Sequence, residues 1–361
     1  MKVAFLNDLI YGYAMADTSA VGGNERQQWL LARALASEGW AVCVGIREGL
    51  EAGERRSIDG VEFLGINQGH YLFDWYRFLA STRPDWIYWR GASHLLGPLV
   101  QIARLVGVHL IFAAAFDTDV HPRSALTLRP RWWLLYAWGL SGAKRLLVQH
   151  GGQLEGLPSR WKPKAFVVRS IAEAHRDFTP HSCRDRYVVW VGMLRQPKRP
   201  DLLIEVAKQS PKLKYVVCGG GTTHRSPLGY SEQVIEQLRS LPNVTFLGQV
   251  APEKAEELIA RAAVLLCTSD QEGFPNTFLQ AWSHGTPVAS LQVDPDSIIK
   301  RLKLGAVTYT VQSTVEELGL LLASPQDRQS IGIKAREYII SHHSAEVVIK
   351  DFEGAARHVS G

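Results

Sequence analysis

The sequence predicts an α/β protein built as two doubly wound, parallel-sheet domains, and three observations carry that prediction. The chain has 361 residues, about twice an ordinary domain. Short apolar runs alternate with helical runs in two separate series, the pattern of βαβ units. Between the series lies RSIAEAHRDFTPHSCRDR, polar, carrying Pro180 and without a sustained period, which reads as a linker. The expected boundaries are 1–170 for the first domain, 171–186 for the linker and 187–339 for the second.

Composition narrows the partners. The 40 Lys plus Arg against 35 Asp plus Glu give +5, a surplus that suits small polyanionic ligands or an anionic membrane face and is too weak to argue for nucleic acid. Cys43, Cys183, Cys218 and Cys267 form no CxxC pair, and three of them fall inside apolar runs, so buried thiols in a reducing cytoplasm are expected rather than a disulfide frame. MKVAFLND turns polar too early for a signal peptide, and no apolar run approaches the ~18 residues that a bilayer span needs.

In the first half, KVAFLN from residue 2 is a strand, Glu25 to Ser37 a helix stopped by Gly39, and AVCVGI from Ala41 the next strand. Gly22 and Gly23 let backbone approach closely at the helix's amino end. The pattern is not GxGxxG, and both an ordinary glycine turn and a phosphate or sugar contact fit it. Strands follow at Val61 to Leu64, Trp86 to Trp89, His109 to Ala115, Arg145 to Gln149 and Ala165 to Val168, with helices at Phe73 to Ser81 and Ser93 to Leu105. The loop AAAFDTDVHPR gathers Asp117, Asp119, His121 and Arg123 at the carboxyl end of a strand, where ligand crevices open in such sheets; a solvated Asx loop fits as well. RSALTLRPRWWLLYAWGLSGAKRLL then places Trp132, Trp133, Leu135, Tyr136 and Trp138 among Arg123, Arg129, Arg131, Lys144 and Arg145. Rings with basic flanks suit a helix resting on an anionic inner leaflet, and a core helix explains the same aromatics.

The second series runs YVVWVG from Tyr187, KYVVCGGG, VTFLG, AVLLC, PVASL and AVTYT. Gly192, Arg195 and Lys198 follow its first strand, Gly219 and Gly220 the second, Gln249 and Val250 the third. The segment from Cys267 to Val288, CTSDQEGFPNTFLQAWSHGTPV, is a strand, a loop holding Glu272, Pro275 before a run of helix formers, Gly285 as the stop, and another strand. Its geometry sets the helix start near Asn276 and Thr277 at the carboxyl edge of the sheet, where the helix dipole stabilises phosphate. A carboxylate there can accept hydrogen bonds from sugar hydroxyls.

EGFPNTFLQAWSHGTPVA resembles the Glu-x7-Glu signature of retaining nucleotide-sugar glycosyltransferases of the family-four type. GGNERQQ with its ARALA helix, VVWVGMLRQPKRPDLLIEVAK, the triple glycine and LGQV resemble further stretches of that family. The resemblance implies the GT-B fold, two Rossmann-like domains facing across a cleft, with a C-terminal helix at about 340–361 packing back on the first. It implies that Glu272, Lys198 and Arg195 serve catalysis; Asp117, from its place in the loop after the strand, is a candidate catalytic group on the acceptor side. It also implies donor contacts from Gly22, Gly23, Gly192, Gly219, Gly220, Gln249, Val250, Gly273, Phe274, Pro275, Asn276, Thr277 and Gln280. No metal and no cofactor beyond the nucleotide-sugar substrate are implied. The acceptor would be a glycan or a lipid-linked saccharide in cell-surface polysaccharide synthesis, met in the cytoplasm on the inner face of the membrane.

Three positions depart from the family. Gln280 stands where the second glutamate bonds the ribose hydroxyls, and it offers hydrogen bonds without charge. Met193 holds the place of a phosphate-binding arginine, with Arg195 two residues on. Ala115, Phe116 and Asp117 occupy a strand end where many members carry a histidine, and His121 comes several residues late, so no histidine role is carried over. Two other readings stand beside transfer: a nucleotide-sugar epimerase on the same fold, and a catalytically degenerate partner subunit, which these departures favour.

Overall fold

The computed structural model describes residues 1–15, 22–125, 130–174, 178–222 and 226–358. Arg129, residues 175–177 of the expected linker and residues 359–361 of the expected last helix lie outside them. The chain divides into two compact units, one of Met1–Ile171 with Ala345–Gly361 and one of Ala172–Ser344.

Among the described residues the first unit holds an eight-stranded sheet: β1 (Lys2–Leu6), β2 (Ala41–Ile46), β3 (Arg55–Ile58), β4 (Val61–Gly65), β5 (Trp86–Arg90), β6 (His109–Ala113), β7 (Arg145–Val148) and β8 (Ala165–Val167). The order is β3-β4-β2-β1-β5-β6-β7-β8, every pairing parallel except β3 with β4. Helices α1 (Leu9–Ala14), α2 (Gly23–Ser37), α3 (Tyr71–Thr82), α4 (Leu96–Leu105), α5 (Trp133–Gly142) and α6 (Gly151–Gly156) connect the strands. One core joins Val3, Phe5, Val44 and Tyr88 to Trp29 and Leu35 of α2; a second, on the other face, joins Ala4, Ile87 and Phe112 to Phe78, Leu99 and Tyr136 of α3, α4 and α5. A sheet covered on both faces requires strands that are apolar on both sides, which is why they read as continuous apolar runs.

The second unit repeats the plan. Its strands are β9 (Tyr187–Val191), β10 (Lys214–Cys218), β11 (Val244–Gly248), β12 (Val264–Cys267), β13 (Val288–Ser290) and β14 (Gly305–Val307), all parallel, in the order β11-β10-β9-β12-β13-β14. Helices α7 (Pro200–Gln209), α8 (Tyr230–Ser240) and α12 (Val311–Ala323) cover one face, and α9 (Pro252–Arg261), α10 (Asn276–Ser283), α11 (Ile298–Leu302) and α13 (Pro325–His343) the other. Trp282 of α10 is fully buried against Phe278, Phe274 and Tyr338, with ring centroids at 5.5, 6.1 and 5.7 Å. α10 ends in a Schellman turn: Thr286 N–H reaches Ala281 O at 2.7 Å and Gly285 N–H reaches Trp282 O at 3.0 Å. Gly285 has φ +68°, the left-handed conformation that glycine adopts at least cost.

The stretch before β9 is tied into this unit. Ala172 N–H bonds His343 O at 2.9 Å, buried His181 lies 2.8 Å from Gly285 O through Nε2, and buried Arg184 donates to Thr286 Oγ1 at 2.6 Å. Burial, reinforced by the cations of Arg184 and Arg328, lowers His181 to a pKa of about 4, so the ring is neutral and Nε2–H is the donor.

The last stretch is not one helix. Ser344, at ψ 150°, breaks it after α13, and α14 (Ala345–Arg357) packs in the first unit. Fully buried Arg145 donates through Nε to Ala355 O at 2.8 Å and through its guanidinium to His358 O, satisfying carbonyls at the end of α14 that would otherwise lack partners. Trp40 Nε1 donates to Glu353 at 2.8 Å.

Candidate active site

In the second unit the strand order reverses between β9 and β12, and in open parallel sheets ligands bind outside the carboxyl ends of the strands at that point. The loop after β9 carries Gly192, Met193, Arg195 and a single 3-10 turn, Gln196–Lys198; the loop after β12 carries Glu272, Gly273, Phe274 and Pro275 into α10. The fold therefore brings Lys198 and Glu272, 74 residues apart, into direct contact: the ammonium donates to Glu272 Oε1, the side chains being 20% and 9% exposed.

Three further ties fix the two loops. Thr268 Oγ1, fully buried, accepts from Trp190 Nε1 at 3.0 Å and donates to Lys198 O at 2.7 Å. Asp270 N–H bonds Pro197 O at 3.1 Å. Arg199, left-handed at φ +48°, pairs with Asp201 at 2.7 Å and Asp270 at 3.1 Å. Neither Thr268 nor Trp190 stood out in the sequence, because a threonine at a strand end and a strand tryptophan look like ordinary sheet residues. Arg195 has a buried Nε with no hydrogen-bond partner among the described residues, a cationic donor suited to an anionic oxygen. Cys267 is no rival nucleophile: it is buried, and that burial, with the charge of Glu272 adding to it, pushes its thiol up.

The glycine turns have a packing reason of their own. A Cβ on Gly219 would lie 1.8 Å from Gly192 O, so the loops after β9 and β10 can touch only without one. At Gly220 the added atom would meet only the end of the Gln249 side chain. Gln249 is exposed and Val250 half-buried at the start of the β11–α9 connection, also at the carboxyl edge. At α10, Phe278 N–H bonds Pro275 O at 3.1 Å, which leaves Asn276 and Thr277 as the helix's positive end. Gln280 lies one turn further in, its amide 3.4 Å from Glu256 of α9.

In the first unit the order reverses between β1 and β5. Gly22 caps the amino end of α2 and Gly23 opens it; neither has a positive φ, so conformation alone does not demand glycine there. Asp117, after β6, is held by two donors from beyond β7: His150 Nε2 and Gln153 Nε2 both lie 2.9 Å from Asp117 Oδ1. His150 is buried, Asp117 exposed. The loop after β6 has no histidine at the strand end, yet His150, supplied from beyond the neighbouring strand, stands beside Asp117; a polar QHGG closing an apolar run was the available signal. Asp119 turns inward instead, its Oδ2 accepting from Ala115 and Phe116 N–H at 2.8 and 3.0 Å. Among the described residues, no group of three or more His, Cys, Asp or Glu is arranged to hold a metal ion.

Two Rossmann-like units of this strand order define the GT-B class of glycosyltransferase folds. The chain matches sucrose-phosphate synthase from Thermosynechococcus elongatus with a TM-score of 0.79, at 15% identity over 99% of this chain and 98% of that one. It matches Anabaena Alr3699/HepE in complex with UDP and glucose at 0.72, with 15% identity over 98% of each. Residues 172–338, most of the second unit, match the family Glycosyl transferases group 1. Among curated relatives, an alpha-galactosylglucosyldiacylglycerol synthase of Streptococcus pneumoniae is 25% identical over 173 residues, 48% of this chain and 40% of that protein. A D-inositol 3-phosphate glycosyltransferase of Mycolicibacterium paratuberculosis is 32% identical over 108 residues, 29% of this chain and 24% of that protein. The chain thus spans less than half the length of either relative.

Proposed function

We propose that this chain is a retaining, metal-independent glycosyltransferase that moves a sugar from a nucleotide-sugar donor, bound by the second unit, to a hydroxyl of a glycan or lipid-linked saccharide, bound by the first. The observation that carries the reading is the Lys198–Glu272 pair at the strand-order reversal of a group 1 glycosyltransferase domain. In the reaction the bond from the anomeric carbon to the donor phosphate breaks, a bond to the acceptor oxygen forms on the same face, and the acceptor's proton passes to the leaving phosphate. Negative charge grows on the nucleoside diphosphate as it leaves. Lys198, Arg195 and the positive end of α10 stabilise that charge. An ammonium has three donors, so Lys198 can keep Glu272 oriented while reaching a phosphate oxygen. Glu272 accepts hydrogen bonds from the sugar, and Asp117, braced by His150 and Gln153, accepts from the acceptor hydroxyl.

Met193 and Gln280 favour a second reading, a subunit that binds the donor without turning it over. Incubation with UDP-, GDP- and ADP-sugars separates the cases. Slow sugar release supports transfer, an altered sugar still joined to its nucleotide supports epimerisation, and binding without turnover supports the inactive subunit.

The same reading includes peripheral membrane contact through α5. Leu134 and Trp138 are exposed, Tyr136 is buried in the core, and Arg123 and Arg131 lie over the rings of Trp133 and Trp132 at 4.7 and 5.0 Å. The helix is thus anchored through Tyr136 and offers Leu134 and the Trp138 ring, with the exposed cations Arg123 and Arg131, to solvent. Among the described residues, no helix is long and apolar enough to cross a membrane. Co-sedimentation with anionic liposomes at low salt is the expected result; protein left in the supernatant counts against the contact.

A further inference from the structure

Gln280 and Glu256 are each the fifth residue of their helix, α10 and α9, and both helices begin at the carboxyl edge of the second sheet. The helices pack together, and between them Gln280 Nε2 faces Glu256 Oε2 at 3.4 Å while His284 Nε2, one turn on, faces Glu256 Oε1 at 3.4 Å. A glutamate at 280 would confront another carboxylate at that spacing, an arrangement that disfavours ionisation of both. Glutamine turns the conflict into attraction, because its amide donates to Glu256, and its own Oε1 remains an acceptor.

We infer that Glu256 supplies the negative charge that Gln280 lacks: the carboxylate that accepts hydrogen bonds from the donor's 2′,3′-diol has moved from α10 to α9. The inference rests on the donor site proposed above. Glu256, 27% exposed and braced by Gln280 and His284, is thereby a specificity-determining residue for nucleotides with an intact ribose diol.

Calorimetric titration of the full chain with UDP, GDP and ADP, each beside its 2′,3′-dideoxy counterpart, tests this, with a melting curve for every variant. Loss of a hydrogen bond to a charged group costs about tenfold or more in affinity. Wild type should lose at least that much when the diol is removed. Glu256→Gln should bind the diphosphate about tenfold more weakly and then be nearly indifferent to the diol. Gln280→Glu alone should also weaken binding, and Glu256→Gln with Gln280→Glu should return to within about threefold of wild type. A Glu256→Gln protein that remains as sensitive to the diol as wild type, or a double variant no better than the single ones, overturns the inference while leaving the donor site intact. A wild type that binds none of the three diphosphates overturns the proposed function and this inference with it.

Discussion

Replacing Lys198 with alanine removes the cation that the proposed leaving group meets. At the effective dielectric of about 20 that suits partly buried sites, unit charges about 4 Å apart interact by about 4 kcal/mol. If half a charge develops on the departing diphosphate, about 2 kcal/mol of transition-state stabilisation disappears, which is about 30-fold in rate. Single donors in comparable electrostatic sites are worth on the order of 10²–10³. The expected loss of sugar release therefore lies between about 30-fold and 1000-fold. The variant also strips Glu272 of its partner, but both side chains retain access to water, 20% and 9%, and the loop stays tied through Thr268 and Asp270. Near-normal melting and circular dichroism are expected. The assay is release of labelled sugar under saturating donor, so that a kcat effect is separated from weaker binding. A folded Lys198→Ala protein within threefold of wild-type turnover would refute the reasoning.

Other consequences can be measured alongside. Thr268→Val preserves shape but leaves Trp190 Nε1–H and Lys198 O without their buried partner; it should lower stability by about 1–3 kcal/mol and raise the donor KM, and an unchanged urea midpoint contradicts it. Gly219→Ala should cost more than about 3 kcal/mol, because its Cβ must displace the Gly192 carbonyl, whereas Gly220→Ala should be tolerated; equal melting temperatures for the two would sink this account of the turn. His181 has a folded pKa of about 4 against an ordinary 6.5, so between those values the unfolded chain binds a proton that the folded one refuses. Its contribution, about 3 kcal/mol, is fully present above pH 6.5 and is lost as the pH falls toward 4. Urea unfolding at pH 7.5 and 4.5 should show that loss in wild type and a smaller one in His181→Gln; equal losses would refute it.

How much of this could be read from the sequence follows from what each element exposes. The parallel strands were legible because burial on both faces leaves no choice but continuous apolar residues, as in YVVWV and VLLC. β3, Arg55–Ile58, was not, since an antiparallel edge strand with three exposed residues carries no apolar face. The break at Ser344 was not legible because neither glycine nor proline marks it, and only the backbone turn at ψ 150° separates the two helices. Lys198 and Glu272 were found one at a time by their motifs, but their contact depends on β9 and β12 being neighbours, which is a fact of topology. His150 and Glu256 escaped for the same reason: each matters through a residue on another element, Asp117 in one case and Gln280 in the other.

The most direct test is a crystal structure of the chain soaked with a nucleoside diphosphate that calorimetry has shown to bind. The account predicts the diphosphate lying between the Lys198 ammonium and the Asn276–Thr277 end of α10, with the ribose toward Gln280 and Glu256. Diphosphate density elsewhere, or protein atoms filling that space in the bound state, would contradict it.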